Sequence, residues 1–291
     1  MAIELRTIRE SDRPRIQEIS AQIWRGEDYV PSVLEEWFAD RAGEAVGAVV
    51  DGTLIAFARR TWLCPGQAWF EGIRTDPAFR GLGAGRALTQ HLIESARHAG
   101  AERIHLSTHR DNEASIHIIE SFGFARVASF ALAETDVPEI GVAVSEPTGL
   151  VDIDETDTAA FVGRSDFLDV AARRFPRGWR FFPFDVDPAE AVARLATKVG
   201  ILREGQLVAL ACVRQPVGGR ESVTLNFADG DADDLRLLIG EIHRRYAGRH
   251  IEAMVPKTSD GEARLLRILR EFSYTHWNAG LADVFLYEMT L

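Results

Sequence analysis

The sequence predicts an α/β fold of the α+β kind, built on mixed sheets and divided into two tandem domains. Three observations support this prediction. The chain has 291 residues, enough for two domains of about 140 residues that each bury a core of their own. Strand-like and helix-like apolar patterns alternate along the chain. The order of these patterns in the first half then returns in the second half.

The elements of the first half follow from the spacing of its apolar residues. Alternating apolar residues predict strands, and apolar residues spaced by three or four predict helices. In order, these patterns predict a strand at 2–8, helices at 13–24 and 31–40, a hairpin of strands at 44–50 and 53–63 around the turn Asp51-Gly52, a strand at 68–75, a long helix at 85–100, a strand at 103–108, a short helix at 112–122 and a strand at 124–132.

The domain boundaries are placed by a stretch rich in turn residues. Residues 136–150 contain two prolines, Pro138 and Pro147, together with glycines and small polar residues. We therefore predict a first domain at 1–135, a linker at 136–150 and a second domain at 151–291.

The composition excludes several classes of protein. Apolar residues make up 46% and charged residues 26% of the chain, which is typical of a globular protein and not of a disordered one. The formal net charge of −11 argues against a nucleic-acid partner, because binding to phosphates needs a basic face. No apolar stretch approaches the ~18 residues of a membrane span, and the first residues do not resemble a signal peptide. We expect no membrane partner and a cytoplasmic location.

The cysteines indicate neither a disulfide framework nor a metal site. Cys64 and Cys212 lie in different halves, and neither has a second cysteine or a histidine at the spacing of metal ligands. We predict that both are small core residues and that the protein binds no metal.

The second half repeats the first. Residues 46–58 ("VGAVVDGTLIAFA") match residues 199–211 ("VGILREGQLVALA") without a gap at an offset of 153 positions. Residues 81–100 match residues 231–250 at an offset of 150, and the same offset carries 121–127 onto 271–277. Because strand, hairpin, helix, strand and helix return in the same order, we infer a duplication.

A glycine-rich turn, "RGLGAGR" at residues 80–86, precedes the long predicted helix. Glycine lets a ligand approach the backbone, and a helix N-terminus offers unpaired amides and the positive end of its dipole. The turn is therefore predicted to bind an anion. It is not a Walker loop, because Arg86-Ala87 stand where a Lys-Ser/Thr pair is required. It also lacks the spacing of a dinucleotide-binding loop.

The turn resembles the acetyl-CoA diphosphate loop of the GNAT family of N-acetyltransferases. The family pattern Q/R-x-x-G-x-G/A is met by Arg80, Gly83 and Gly85, and the order of strand, loop and helix around it is similar. The resemblance implies acetyl-CoA as co-substrate and two tandem GNAT-like domains, of which the second is degenerate.

The resemblance also implies the residues of a coenzyme site. The diphosphate would be bound by the backbone of Gly81, Leu82, Gly83, Ala84 and Gly85, and Arg80 and Arg86 would add charge. The backbone from Ile73 to Thr75 would hold the thioester carbonyl, and Asn112 would contact the pantetheine arm.

The sequence departs from this family at the general acid. Many members carry a tyrosine seven residues after the asparagine, and here that position is Ile119. The protonation of the departing thiolate is therefore left open, with solvent or the substrate ammonium as the remaining sources. For Asn112 itself, capping of the helix is an alternative that is compatible with coenzyme binding.

Glu71 is the candidate general base. It stands two residues before Ile73, and a partly buried carboxylate there accepts a proton directly or through water. The alternative is an ion pair with Arg59 or Arg74. Gly72 suggests a bulge that turns Glu71 and Arg74 to one side, which makes Arg74 a candidate for binding a substrate carboxylate.

The loop at 26–31 is the candidate acceptor side. Asp28 and Tyr29 are suited to an amine and a flat group, and the alternative is a solvated turn with no such role. The segments "EDYVP" and "EGIR", with the tandem layout, resemble the histidine N-acetyltransferase-like branch of the family.

The second copy is predicted not to bind the coenzyme. At the offset of 150, residues 80–85 fall on "GDADDL" at 230–235, and its three carboxylates would repel a diphosphate.

We predict an N-acetyltransferase that moves an acetyl group from acetyl-CoA to a primary amine of a small molecule, with an amino acid such as histidine as the leading acceptor. Acetylation of a peptide or protein N-terminus is one alternative. A non-catalytic acyl-CoA sensor is the other. The oligomeric state and the acyl-chain preference are not determined by the sequence.

Overall fold

The chain forms two compact units in a computed structural model that describes residues 2–139, 149–215, 222–257, 263–276 and 282–291. Unit 1 consists of Met1–Thr108, Asn112–Ala125 and Tyr287–Leu291, and unit 2 consists of His109–Asp111 and Arg126–Leu286. Most of the predicted linker, residues 140–148, lies outside the described residues.

Unit 1 contains the elements predicted for the first half up to the short helix at 112–122, with differences at their ends. Its strands are β1 (Glu4–Thr7), β2 (Glu44–Val50), β3 (Thr53–Cys64), β4 (Gln67–Thr75) and β5 (Arg103–His109). The last residue of β5, His109, is assigned to unit 2. Its helices are α1 (Arg13–Ser20), α2 (Val30–Ala39), α3 (Ala84–His98) and α4 (Glu113–Ser121).

The sheet of unit 1 is mixed. The strands follow the order β1-β2-β3-β4-β5, in which β4 and β5 are parallel and the other neighbours are antiparallel. A parallel pair needs a long crossover, and α3 provides it. Helices α1 and α2 close the core through buried apolar side chains, among them Ile16, Leu34 and Trp37.

Unit 2 has a related order of elements. Its strands are β6 (Ala125–Asp136), β7 (Leu150–Asp152), β8 (Arg174–Arg177), β9 (Arg180–Pro183), β10 (Thr197–Arg203), β11 (Gln206–Arg214), β12 (Val223–Asp229), β13 (His250–Pro256), β14 (Thr275–His276) and the start of β15 (Val284–Thr290). Its helices are α5 (Glu155–Gly163), α6 (Asp166–Val170), α7 (Pro188–Val192), α8 (Ala232–Arg245) and α9 (Arg264–Glu271). The strand order β6-β13-β12-β11-β10-β7 contains one parallel pair, β12 with β13, spanned by α8.

A packing detail occurs in both units at the same spacing. In the β2–β3 hairpin, a Cβ added to Gly47 would stand 2.4 Å from Leu54 Cδ1. In the β10–β11 hairpin, a Cβ added to Gly200 would stand 2.4 Å from Leu207 Cδ1. Both residues of the second pair lie 153 positions after those of the first (200 − 47 and 207 − 54). Each hairpin thus packs a leucine against a glycine in the same register.

The last strand of each half differs from the sequence prediction. Strand β6, predicted as the end of the first half, pairs with β13 and is counted in unit 2 from Arg126 onward. Unit 1 instead contains residues 287–291 of the chain. There the Leu291 amide donates to the Glu102 carbonyl at 2.9 Å, and Arg103 pairs with Glu288 at 2.8 Å. Pairing between residues this far apart in sequence leaves no local signal.

Among the described residues, no helix combines the length and the hydropathy that a membrane span requires.

The contribution of the last strand to unit 1 is testable at Tyr287. Its side chain is 1% exposed, and its hydroxyl donates to Glu120 Oε1 at 2.8 Å. We expect Tyr287→Ala to lower the free energy of unfolding by about 3–5 kcal/mol, as for other buried aromatic residues. Tyr287→Phe keeps the packing and should cost about 1 kcal/mol. Urea unfolding followed by tryptophan fluorescence measures both.

The matched control is Leu202→Ala, because Leu202 is 40% exposed and its truncation should change the stability by less than about 0.5 kcal/mol. If Tyr287→Ala is no more destabilising than Leu202→Ala, the last strand does not pack into unit 1.

Candidate active site

Strand β4 separates from β5 where the site forms. The two strands pair in parallel only from Gln67 to Trp69, opposite Arg103 to His105, in the part of the chain that the structure describes. Residues 70–75 therefore keep backbone donors and acceptors on that edge for other partners. Ile73 and Thr75 lie on this free edge, next to the end of the strand.

A bulge at Gly72 shapes the same stretch, as the sequence predicts. Opposite β3, Arg59 faces Glu71 and Phe57 faces Arg74, so that β4 carries one extra residue. Gly72 has φ +62°, and a Cβ there would stand 2.3 Å from the Trp37 ring. The close approach of Trp37 and the left-handed backbone both require glycine at this position.

The glycine-rich loop links β4 to α3. It runs from residue 76 to residue 83, and Asp76 stabilises its start by accepting a hydrogen bond from the Ala78 amide at 2.8 Å. Gly81 and Gly83 have φ values of +82° and +87°, and Gly83 is the N-cap of α3. A Cβ added to either glycine would meet no atom within 4 Å. The glycines are therefore required by backbone conformation, and the space above the loop is open.

The last amides of this loop and the first amides of α3, from Gly81 to Arg86, have no protein acceptor in the described part of the chain. The first hydrogen bond of α3 runs from the Ala87 amide to the Gly83 carbonyl at 2.9 Å. The preceding amides, from Gly81 to Arg86, have no recorded acceptor among the described residues. Consecutive free amides at a helix N-terminus form an anion-binding site. The predicted diphosphate-binding residues are thus brought together on one surface.

The two predicted arginines occupy different positions around this surface. Arg80 is exposed, and its side chain forms no hydrogen bond or ion pair with the residues that the structure describes. Arg86 is also exposed, donates to Ser121 Oγ at 2.7 Å and stacks on the Phe122 ring at 4.6 Å. Arg80 is therefore an exposed cation beside the loop, whereas Arg86 connects α3 to the end of α4.

The remaining loop residues differ in exposure. Leu82 is 43% exposed, while Ala84 is buried under the first turn of α3. Leu82 therefore leaves an apolar side chain exposed on the loop.

Asn112 caps α4. Its Oδ1 accepts from the Ser115 amide at 3.4 Å, and its Nδ2 donates to Thr108 Oγ1 at 3.2 Å. Ile119, at the position of the family's tyrosine, is 1% exposed and carries no proton donor. The helix that the resemblance assigns to the pantetheine arm is therefore present without its general acid.

Glu71 lies in a buried ionic cluster. Its Oε1 accepts from Arg59 Nη1 at 3.0 Å, and both side chains are about 5% exposed. Arg59 Nη2 also pairs with Asp40 Oδ2 at 2.6 Å, and its guanidinium stacks on Trp37 at 5.5 Å. The pairing with Arg59 that the sequence left as an alternative is formed. Two carboxylates thus share one guanidinium.

Asp40 is held in its charged form. Burial raises the pKa of its carboxyl, but hydrogen bonds from Arg59 and from the Gly43 and Ala42 amides outweigh this effect. The resulting pKa lies below the ordinary value of aspartate. Within the cluster, Asp40 therefore balances the Arg59 charge at neutral pH.

The three predicted acceptor-side residues meet in a second cluster. Arg74 binds Asp28 through two hydrogen bonds, Nη2 to Oδ1 at 2.8 Å and Nε to Oδ2 at 3.1 Å. Its guanidinium lies over the rings of Trp24 at 4.4 Å and Tyr29 at 5.7 Å. Arg74 Nη1 donates to the Ile73 carbonyl at 3.2 Å. A substrate carboxylate would have to displace one of these partners to reach Arg74.

In the described part of unit 2, the connection at the corresponding place is much shorter. Residues 230 and 231 alone join β12 to α8, so the connection is six residues shorter than the one between β4 and α3. The structure corrects the gapless match of the two turns, because the N-caps are Gly83 and Asp231, which lie 148 positions apart. Asp231 accepts from the Asp234 amide at 2.8 Å, and this hydrogen bond lowers the pKa of Asp231. A protein carboxylate thus occupies this helix N-terminus.

Among the residues that the structure describes, no group of three or more histidine, cysteine, aspartate or glutamate side chains is placed to hold a metal ion.

Sequence reasoning missed three members of these clusters, Asp40, Trp37 and Trp24. Asp40 ends α2 and lacks a motif, so only the fold brings it to Arg59. For Trp24, the sequence offered one signal of a functional role: a large aromatic residue just before the turn at Arg25-Gly26.

Comparisons with known proteins agree with this geometry. The model of the acetyltransferase (GNAT) family matches residues 5–124. The chain is 33% identical over 121 residues to the N-alpha-acetyltransferase RimI of Mycobacterium tuberculosis, covering 40% of this chain and 75% of that protein. It is 33% identical over 107 residues to the mycothiol acetyltransferase of Nocardiopsis dassonvillei, covering 34% of this chain and 32% of that protein.

A solved structure has the same fold over nearly the whole chain. The GCN5-related N-acetyltransferase of Sphaerobacter thermophilus superposes with a TM-score of 0.65 at 18% sequence identity, and the match covers 99% of this chain and 95% of that one. Three findings lead to one conclusion: the free amides before α3, the separation of β4 from β5, and the similarity of residues 5–124 to known proteins. The chain belongs to the acetyltransferase (GNAT) family of enzymes.

Proposed function

We propose that this acetyltransferase moves the acetyl group of acetyl-CoA to the primary amine of a small molecule. The leading acceptor class is amino acids, with histidine as the first member to test. Direct attack of the amine on the thioester is the proposed reaction, without a metal and without a covalent enzyme intermediate.

The observation that carries this proposal is the row of free amides from Gly81 to Arg86. A diphosphate is a compact dianion that accepts several hydrogen bonds at once, which suits consecutive amides at a helix N-terminus. The space above Gly81 and Gly83 is open, and the Arg80 guanidinium is unpaired among the residues that the structure describes. Both features fit the same ligand.

Strand β4 supplies the groups for the thioester. When bound, acetyl-CoA supplies an activated acyl group next to its thiol leaving group. The free edge of β4 at Ile73 and Thr75 would direct a backbone donor at the carbonyl oxygen, where negative charge develops during attack. The bulge at Gly72 interrupts the ladder with β3 just before Ile73, and the ladder resumes at Arg74 and Thr75.

Glu71 is the proposed base, acting directly or through water. In the group formed by Asp40, Arg59 and Glu71, two carboxylates share one guanidinium. Glu71 would take the proton from the incoming ammonium, and the neighbouring Arg59 would keep its carboxylate in place. Ile119 carries no proton, so the thiolate would be protonated by solvent or by the ammonium itself.

The acceptor side is proposed at the cluster of Asp28, Tyr29 and Arg74. These side chains adjoin Ile73 along β4 and the loop before α2. The similarity to RimI supports a second candidate, acetylation of a peptide N-terminus. The similarity to a mycothiol acetyltransferase supports a small-molecule acceptor.

We propose that unit 2 is a degenerate copy of unit 1 that supports it and does not bind the coenzyme. The repeated leucine-over-glycine packing supports the common origin. The two-residue connection before α8 and the carboxylate of Asp231 at its N-terminus support the loss of binding. Cys64 and Cys212 are buried and are not joined in a disulfide, and we propose a cytoplasmic location for the protein.

Thiol release from acetyl-CoA tests the function. We expect turnover with at least one amine from a panel led by histidine, followed by other amino acids, simple alkyl and aryl amines, and a peptide with an N-terminal alanine. Turnover of the peptide alone would favour the second candidate. Binding of acetyl-CoA without turnover of any amine would contradict an enzymatic role and leave the acyl-CoA sensor.

The loop is tested by Gly83→Asp, which places a carboxylate where the diphosphate is proposed to lie. We expect the affinity for CoA, measured by calorimetry, to fall by at least about tenfold through charge repulsion. Gly52→Asp is the matched control, because Gly52 has φ +77° in a hairpin turn and a Cβ there also meets nothing within 4 Å. Equal affinities of both variants would exclude the diphosphate role.

The base is tested by the pH dependence of Glu71→Gln. Without the carboxylate, the reaction depends on amine that is already deprotonated, so we expect turnover to fall most at low pH and to recover as the pH rises. The affinity for acetyl-CoA should stay unchanged. A pH profile equal to that of the wild type would remove Glu71 from the mechanism.

A further inference from the structure

Trp24 is an exposed aromatic residue in a strained segment. Its side chain is 54% exposed, which is unusual for tryptophan in a folded domain. Trp24, Arg25 and Gly26 have φ values of +45°, +60° and +92°, so three consecutive residues adopt left-handed backbone. This conformation is unfavourable for residues with side chains, and such strain concentrates at functional sites.

The surrounding contacts fix one face of the indole. The Arg74 guanidinium lies 4.4 Å from the centre of the Trp24 ring. Asp28, whose side chain is 1% exposed, holds that guanidinium by two hydrogen bonds. Because Arg74 covers one face and the residue is still half exposed, the opposite face of the indole is turned to solvent.

The indole also stands close to the proposed acyl site. Arg74 lies on β4 between Ile73 and Thr75, on the stretch that no longer pairs with β5. Arg74 Nη1 also binds the Ile73 carbonyl. The Arg74 side chain thus contacts both Trp24 and the backbone that we propose binds the thioester. An acceptor whose amine reaches that carbonyl can place the rest of its body on the indole.

We propose that the solvent-facing side of Trp24 binds a flat group of the acceptor, so that amines with an aromatic or heteroaromatic ring are preferred over alkyl amines of similar length. The proposal rests on the proposed function. Stacked rings gain more than the area they bury, because their quadrupoles attract in offset and edge-on arrangements. The Asp28 carboxylate cancels the Arg74 charge, so the platform selects for shape more than for an anionic group.

The test compares 2-phenylethylamine with n-butylamine in the full chain. For the wild type, we expect kcat/KM to favour the ring amine by about tenfold, the scale of a good ring pair. Trp24→Ala should abolish this preference by raising KM for the ring amine about tenfold more than KM for butylamine, with the affinity for acetyl-CoA unchanged. Trp24→Phe should keep most of the preference, and Trp24→Leu, which keeps bulk without a ring, should lose it.

Val186→Ala is the control, because Val186 is equally exposed at 54% and lies in unit 2. It should leave both amines unaffected. Equal use of the two amines by the wild type, or an equal loss for both amines in Trp24→Ala, would overturn the proposal while leaving the acetyltransferase function intact. Absence of turnover with any amine would instead refute the proposed function, and this inference with it.

Discussion

The separation of β4 from β5 is the constraint on which the candidate site depends. Parallel strands that stay paired would use every backbone group between them, and here pairing ends at Trp69 opposite His105. The crossover helix α3 must then begin at a distance from the end of β4, and the eight residues from 76 to 83 provide that connection. The free strand edge and the free helix N-terminus are therefore two results of one break in the sheet.

Buried charge holds the broken strand in place. The bulge at Gly72 puts Glu71 and Arg74 on either side of the extra residue, and each side chain forms its own ion pair, with Arg59 and Asp28 respectively. Aromatic rings complete both clusters, Trp37 over Arg59 and Trp24 over Arg74. Unpaired buried charges would be costly, so these pairs fix the geometry of the strand as well as its chemistry.

Local patterns in the sequence were sufficient for most elements of unit 1. Hairpin β2–β3, helix α3 and the bulge at Gly72 each follow from spacing or from one glycine. Features set by distant contacts left no such pattern. Strand β6 pairs with β13, and residues 287–291 join unit 1, because pairing depends on the whole fold. A gapless match between the halves likewise hid the short connection before α8. The site shows the same division: the glycine loop was predictable, whereas Trp24 and Asp40 were not.

The most direct measurement follows the backbone amides of ¹⁵N-labelled protein by NMR while CoA is added. The account predicts that the amide signals of Gly81, Gly83 and Gly85 shift until saturation, because these amides donate to the diphosphate. The amides of Asp231 and Asp234, where a protein carboxylate already caps the helix, should remain in place. If CoA binds and the three glycine amides do not move, the coenzyme is held elsewhere and the account is wrong.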